Sequence, residues 1–142
     1  MIFQNFFIYI DFIWKACENS DVDIIYYLLL KGKENIQSII NRNHQIKKIS
    51  IPSNVTSINI KAFIDCISLK QVVILSSIPK IMEGTFQNCL SLTDITIPSS
   101  VTIIESYSFS KCTSLRKVKM SSSVVKICMY AFCNCIGVLK SI

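Results

Sequence analysis

The chain is poor in the residues that usually punctuate loops and carry out chemistry. Its 142 residues hold three glycines, three prolines and one histidine. Gly32, Gly84 and Gly137 lie too far apart to build a glycine-rich loop around a phosphate. The lone histidine, His44, sits between Asn43 and Gln45, and nothing singles out one of the seven cysteines as its partner in a Cys-His nucleophile pair. Cys128, Cys133 and Cys135 lack the paired spacing of a zinc site and have no histidine nearby. No apolar run reaches the about 20 residues that a membrane-spanning helix requires. The most apolar stretch, residues 1–14, is interrupted by Gln4, Asn5 and Asp11 and lacks the basic start and small-residue cleavage site of a signal peptide. These absences lead us to expect a chain without catalytic residues, cofactor or metal, in the cytoplasm or peripheral at a cell surface.

What the chain does have is a period. Phe63, Phe86, Phe109 and Phe132 are spaced by 23 residues, and Cys66, Cys89, Cys112 and Cys135 follow at the same interval. Val55, Ile78, Val101 and Val124 form a third column, and Ile58, Ile81, Ile104 and Ile127 a fourth. Chance matching of apolar residues could produce one such column but not four. After each cysteine a second pattern begins: Leu69-x-x-Val72-x-Ile74, Leu92-x-x-Ile95-x-Ile97 and Leu115-x-x-Val118-x-Met120, with Ile46-x-x-Ile49-x-Ile51 ahead of them. The last two apolar positions of each alternate with polar or variable residues, the mark of a strand with one buried face. A strand of about six residues leaves enough chain for the crossover of a dozen or more that parallel strands require. Pro52 and Pro98 end their strands because proline cannot donate to the ladder. The steps Ser53-Asn54, Ser76-Ser77, Ser99-Ser100 and Ser122-Ser123 suit turns. Segments 60–65 and 106–111 read as single helical turns or 3₁₀ pieces. The expected architecture is a coil of 23-residue turns carrying one parallel sheet, its interior filled by like side chains from successive turns. Mutual burial between neighbouring turns also explains a composition that is 51% hydrophobic with a mean hydropathy of +0.46.

The run Ile97-Pro98-Ser99-Ser100-Val101-Thr102, continued by Phe109-Ser110-Lys111-Cys112-Thr113-Ser114-Leu115, resembles the BspA-like leucine-rich repeats of bacterial and protist surface proteins. The resemblance covers roughly residues 45–137. It implies an α/β solenoid with a parallel sheet on one face, and a binding or adhesion role without catalytic residues. The ninth position, which holds Asn or Cys in the general leucine-rich motif, is Asn54, Ser77, Ser100 and Ser123 here, so no asparagine ladder is expected. Leu75 replaces the proline in the second unit, and Ser141 falls in the Val72 column. The sequon Asn54-Val55-Thr56 arises when Asn replaces Ser in the repeat, and we read it as a by-product of the period.

Residues 1–45 lack the period. Ser20 can cap a helix, Asp23 can close the capping box, and Ile24, Ile25, Leu28 and Leu29 share one face. Gly32 is a stop, and a second short helix is expected over residues 34–41. Part of this segment, from Ala16-Cys17-Glu18-Asn19 to Leu28-Leu29-Leu30-Lys31-Gly32, resembles the helix pair of one ankyrin repeat without its Thr-Pro-Leu-His signature. The domain reading is a helical cap over residues 1–45, ankyrin-like or not. Residues 46–142 form a solenoid of about four units that breaks off in a fifth.

Between the inward residues of each strand lie those that face out. The candidate partner-binding residues are Lys47 and Lys48 in the first unit, Lys70, Gln71 and Val73 in the second, Asp94 and Thr96 in the third, and Arg116, Lys117 and Lys119 in the fourth. Lys126 is expected close to this face. The formal charge of +6, and the absence of Asp or Glu after Glu105, point to acidic protein partners, host or extracellular-matrix proteins among them. The charge is too modest and too dispersed for a nucleic-acid arm. The cysteine column is read as buried packing, since a free thiol behaves as a small hydrophobe. Two other readings stand beside a binding module: a structural piece of a longer array, prone to self-association through an open solenoid end, and a thiol enzyme, which would require an accessible cysteine of low pKa.

Overall fold

The computed structural model describes residues 46–138 apart from Pro52, Asn54 and Ser76. The expected helical cap, its ankyrin-like segment, His44 and the sequon asparagine lie outside the described residues.

Alternation of inward apolar and outward polar residues produces the first strand, β1 (Lys48–Ile51), in which Ile49 and Ile51 are fully buried and Lys48 is exposed. One 23-residue turn later the pattern returns as β2 (Gln71–Ile74), with Val72 and Ile74 inward. The next turn opens with a two-residue β3 (Lys80–Ile81), then β4 (Asp94–Thr96), β5 (Ile103–Ile104), β6 (Lys117–Lys119) and β7 (Lys126–Ile127). All pairings are parallel. β1, β2, β4 and β6 form one four-stranded sheet with Lys48 opposite Gln71, Gln71 opposite Asp94 and Asp94 opposite Lys117. Each pairing joins residues 23 apart, so the period seen in the sequence is the hydrogen-bond register.

β4, followed by Pro98, and β6, whose unit has Ser121 in that place, both stop at the equivalent residues Thr96 and Lys119, whereas β2 runs on to Ile74. Leu75, with a free N–H, donates to the Ile51 carbonyl at 2.8 Å and extends the ladder by one bond. The strands are nevertheless shorter than six residues, because the coil turns several corners in 23 residues. The return segment is also more ordered than expected. β3, β5 and β7 form a second parallel sheet in register Lys80–Ile103–Lys126. A third set of rungs runs along the phenylalanine corner, where Phe63, Phe86 and Phe109 donate to Thr85, Ser108 and Ala131, each at 2.8 Å.

No α-helix occurs among the described residues. The corners expected as helical turns start with i to i+3 bonds, such as Ala62 N–H to Asn59 O at 3.2 Å and Ile64 N–H to Lys61 O at 3.2 Å. They cannot continue as helices because two positions per turn are left-handed. One column is Lys61, Gly84, Tyr107 and Tyr130, with φ of 56°, 60°, 58° and 61°. The other is Asp65, Asn88, Lys111 and Asn134, with φ of 62°, 61°, 61° and 60°. Gly, Asp and Asn tolerate this region, which explains four of these eight positions; Lys and Tyr are held there against their preference.

The interior is a set of stacks. Phe63, Phe86 and Phe109 are fully buried, and successive rings from Phe63 to Phe132 lie 5.3, 5.4 and 5.1 Å apart, within 13° of parallel. Each buried phenylalanine contributes about 1.5–3 kcal/mol of burial, and ring stacking adds roughly 0.5–1.5 kcal/mol per pair. Small residues, Ala62, Thr85, Ser108 and Ala131, precede the rings and are all buried. The Thr85 and Ser108 hydroxyls donate to the carbonyls of Met82 and Glu105, so neither is left unsatisfied.

The fourth turn departs from the columns. Ile58, Ile81 and Ile104 are at most 1% exposed but Ile127 is 51% exposed; Met120, expected inward, is 41% exposed. Among the described residues no fifth turn covers them.

Candidate functional site: the outer face of the first sheet

Parallel register converts a scatter of polar residues into three columns on one surface. The first holds Lys47, Lys70, Thr93 and Arg116, tied by Lys70 N–H to Lys47 O at 2.8 Å, Thr93 N–H to Lys70 O at 3.4 Å and Arg116 N–H to Thr93 O at 2.8 Å. The second holds Lys48, Gln71, Asp94 and Lys117. The third holds Ser50, Val73, Thr96 and Lys119, aligned by the same strand pairings. All ten candidate residues therefore lie on one face. Nine are exposed, and Val73 is half-buried.

Lys126 is different. It belongs to β7 and pairs with Ile103 in the second sheet, so it is not part of this surface. Linear closeness to Lys119 misplaced it, because the chain turns a corner between them. A depression of about 390 Å³ opens between β4 and β6, bordered by Thr93, Asp94, Thr96, Arg116, Lys117 and Lys119. Thr93 was not among the candidates. Its hydroxyl donates to Asp94 Oδ2 at 2.9 Å and orients that carboxylate within the depression.

Charge is unevenly placed on the face. Lys47, Lys48 and Lys70 crowd the end nearest β1, and Arg116, Lys117 and Lys119 the end at β6, with Asp94 between. The surface has hydrogen-bond donors and acceptors throughout and no aromatic ring.

The cysteines occupy the opposite environment. Cys66, Cys89, Cys112 and Cys135 are buried and free, stacked as the period implied. Burial first, and the neighbouring Asp65 second, push the Cys66 thiol up to about 12. The Cys135 thiol is raised by its hydrogen bond with Cys112 and by burial. At Cys112 a downward pull from Cys135 is outweighed by Cys89 and burial, and the thiol is again raised. Groups held as neutral thiols are poor nucleophiles. On the second sheet, Lys80 Nζ approaches Glu105 Oε1 at 3.9 Å and the Cys128 thiol donates to Glu105 Oε2 at 3.6 Å, a polar cluster apart from the first sheet. No helix among the described residues is long and apolar enough to cross a membrane.

Comparison with known proteins agrees with the geometry. The model of the BspA type leucine rich repeat region matches residues 34–142, in six copies. A leucine rich cell surface protein of Faecalibacterium prausnitzii has a similar structure, with 35% identity and a TM-score of 0.62 over 65% of this chain and 24% of its own. A leucine-rich repeat protein of Bacteroides ovatus shares 32% identity with a TM-score of 0.54, over 66% of this chain and 24% of its own. The chain thus spans about a quarter of the length of either solved relative. No curated protein sequence matches it. With the family model covering residues 34–142 and the sheet in a 23-residue register, the chain belongs to the BspA-type leucine-rich-repeat family.

Proposed function

We propose that this chain is a non-catalytic protein-interaction or adhesion module that takes a macromolecular partner along the outer face of β1, β2, β4 and β6. The observation that carries this reading is the register, which merges side chains from four separate turns into one exposed surface. Solenoids present extended surfaces of this kind for recognition. The excess of Lys and Arg there favours an acidic protein, of host or extracellular-matrix type. Kinship with a leucine rich cell surface protein supports a peripheral place at a cell surface. Combined reversal of Lys70, Lys117 and Lys119 to Glu tests the face against a panel of immobilised extracellular-matrix proteins. Binding should fall at least tenfold and lose its dependence on ionic strength. Equal binding by the wild type and the triple variant to the same matrix protein would remove this face as the site.

A second reading rests on the fourth turn. Ile127, Met129, Val125 and Met120 expose apolar surface whose equivalents in earlier turns include the fully buried Ile81 and Ile104. Such a surface supports stacking against another chain or a further turn of a longer array, with the edges of β6 and β7, which have no outer neighbour among the described residues, supplying the hydrogen bonds. The chain should self-associate with rising concentration in light scattering, and Ile127→Lys should abolish this. A wild-type chain that stays monomeric across the series contradicts it.

A further inference from the structure

The two clusters of positive charge on the first sheet are separated by a fixed interval with a negative group inside it. Lys48 and Lys117 belong to one column, with Gln71 and Asp94 between them. Three steps between strands of about 4.8 Å place the two ends of that column about 14 Å apart. An extended peptide advances about 3.4 Å per residue, so it spans this interval in about four residues.

The centre of the interval is hostile to anions. Asp94 is exposed, and its Oδ2 is oriented by the Thr93 hydroxyl. A ligand carrying negative charge along its whole length must set one charge against this carboxylate. The other inner side chains are Gln71, the half-buried Val73 and the hydroxyl of Thr96, which suit a short uncharged segment, while Lys70, immediately before β2, extends the cationic end at β1. The face also lacks the aromatic rings on which unpaired bases stack. Nucleic acids and sulfated glycans carry closely spaced charges and cannot leave the centre empty.

We propose that the face reads a bipartite acidic peptide. Acidic side chains about four residues apart engage the Lys48 end and the Lys117–Lys119 end, and Asp94 rejects continuous polyanions. This rests on the reading of the face as a protein-binding surface and specifies its partner. Asp94 is then a specificity-determining residue. Its opposite charge toward Lys117 keeps the fourth-turn cations from acting as a general anion exchanger.

The test uses the full chain and fluorescent synthetic peptides at physiological ionic strength. Each peptide carries two acidic pairs separated by one, three or seven Ser/Val residues; an all-acidic peptide, heparin and single-stranded DNA serve as continuous polyanions. The three-residue spacer, which sets acidic residues about four apart, should bind at least fivefold more tightly than either other spacer. Lys48→Glu and Lys117→Glu should each remove that preference. Asp94→Asn, at an exposed position compatible with folding, should raise affinity for the all-acidic peptide and heparin about five- to tenfold while changing the three-residue spacer less than twofold. Equal affinity for all spacers, tighter binding of heparin or DNA by the wild type, or a uniform effect of Asp94→Asn would overturn the two-ended geometry and leave the broader reading standing. Failure of every anionic probe to bind would remove both this proposal and the acidic-partner version of the proposed function.

Discussion

The thiol of Cys112 donates to the backbone carbonyl of Phe86, 26 residues earlier, at 3.1 Å. Cys89 and Cys135 repeat the bond onto Phe63 and Phe109 at 3.3 and 2.9 Å. The same Phe86 carbonyl accepts the amide of Cys89 at 3.3 Å, so it is shared by two successive turns. Cysteine thus suits the column as a small hydrophobe that also satisfies a buried acceptor on the turn before it.

That arrangement sets thiol accessibility. A thiol reagent should modify the half-buried Cys128 and Cys133 in the folded protein well before Cys66, Cys89, Cys112 and Cys135. Mass spectrometry of peptides after timed labelling reads the order directly. Cys112→Ala should lower stability by about 1–2 kcal/mol, the sum of lost packing and one weakly bonded acceptor, measured by urea denaturation. Labelling of Cys112 as fast as Cys133 would contradict the stacked arrangement.

The phenylalanine stack should be the most sensitive part of the interior. Phe86 has a ring on each side and no exposed surface, so Phe86→Ala should destabilise by about 3–5 kcal/mol. Phe132 is only partly buried and has one neighbouring ring, so its truncation should do less harm. Denaturation midpoints of the two variants, side by side, test the gradient. Similar losses would mean that the fourth turn is as well covered as the second.

Alkaline pH should weaken the fold through Cys66. Its thiol is neutral when protonated, and the fold raises it from an ordinary 9.0 to about 12. The stability gained from keeping it neutral is complete below about 9 and is lost as pH rises toward 12. Between pH 8 and 10.5 the wild type should lose about 2 kcal/mol more than Cys66→Ala, at about 1.4 kcal/mol per pH unit above 9. Parallel pH profiles for the two proteins would refute burial of this thiol.

Gaining a glycine at a left-handed position and losing one at a close backbone approach should have opposite effects. Lys111 is exposed with φ of 61°, so Lys111→Gly should stabilise by up to about 1 kcal/mol by relieving the steric penalty. Gly137 has no such φ but approaches a neighbouring backbone, since an added Cβ would meet the Leu115 carbonyl oxygen at 2.2 Å. Gly137→Ala should therefore destabilise the fourth turn. Thermal melts of the two variants should move in opposite directions.

Much of the fold was legible in the chain because identical turns repeat the same inward residues. The Phe63, Cys66, Val55 and Ile58 columns run through the interior of the first three turns as the period implied, while in the fourth Ile127 leaves it. The second sheet was not legible. β3, β5 and β7 have two residues each, too few to show an alternation, and their partners lie 23 residues away. The left-handed columns left a trace in Asp65, Gly84, Asn88 and Asn134, residues that tolerate positive φ at the repeat period. Lys61, Tyr107, Lys111 and Tyr130 obscure it: the Lys61 and Lys111 amides donate across turns to the Glu83 and Cys133 carbonyls at 2.9 and 2.7 Å, and the two tyrosine rings stack at 5.2 Å, contacts that no local preference shows. Thr93 was legible as an outward strand position but not as a site residue, because its value comes from the carboxylate beside it.

From its residue order alone, this protein had its coil length, its inward columns and the polar identity of its outer positions, since those follow from spacing and hydrophobicity. Folding in three dimensions decided where the chain turns its corners and in what order the outward residues stand. It set Lys47 and Arg116 at opposite ends of one face with Asp94 between them, and sent Lys126 around a corner to another sheet. The reason is that neighbours in a coil are separated by a whole turn of chain, and where that turn bends is set by backbone hydrogen bonds between turns, which no local pattern encodes.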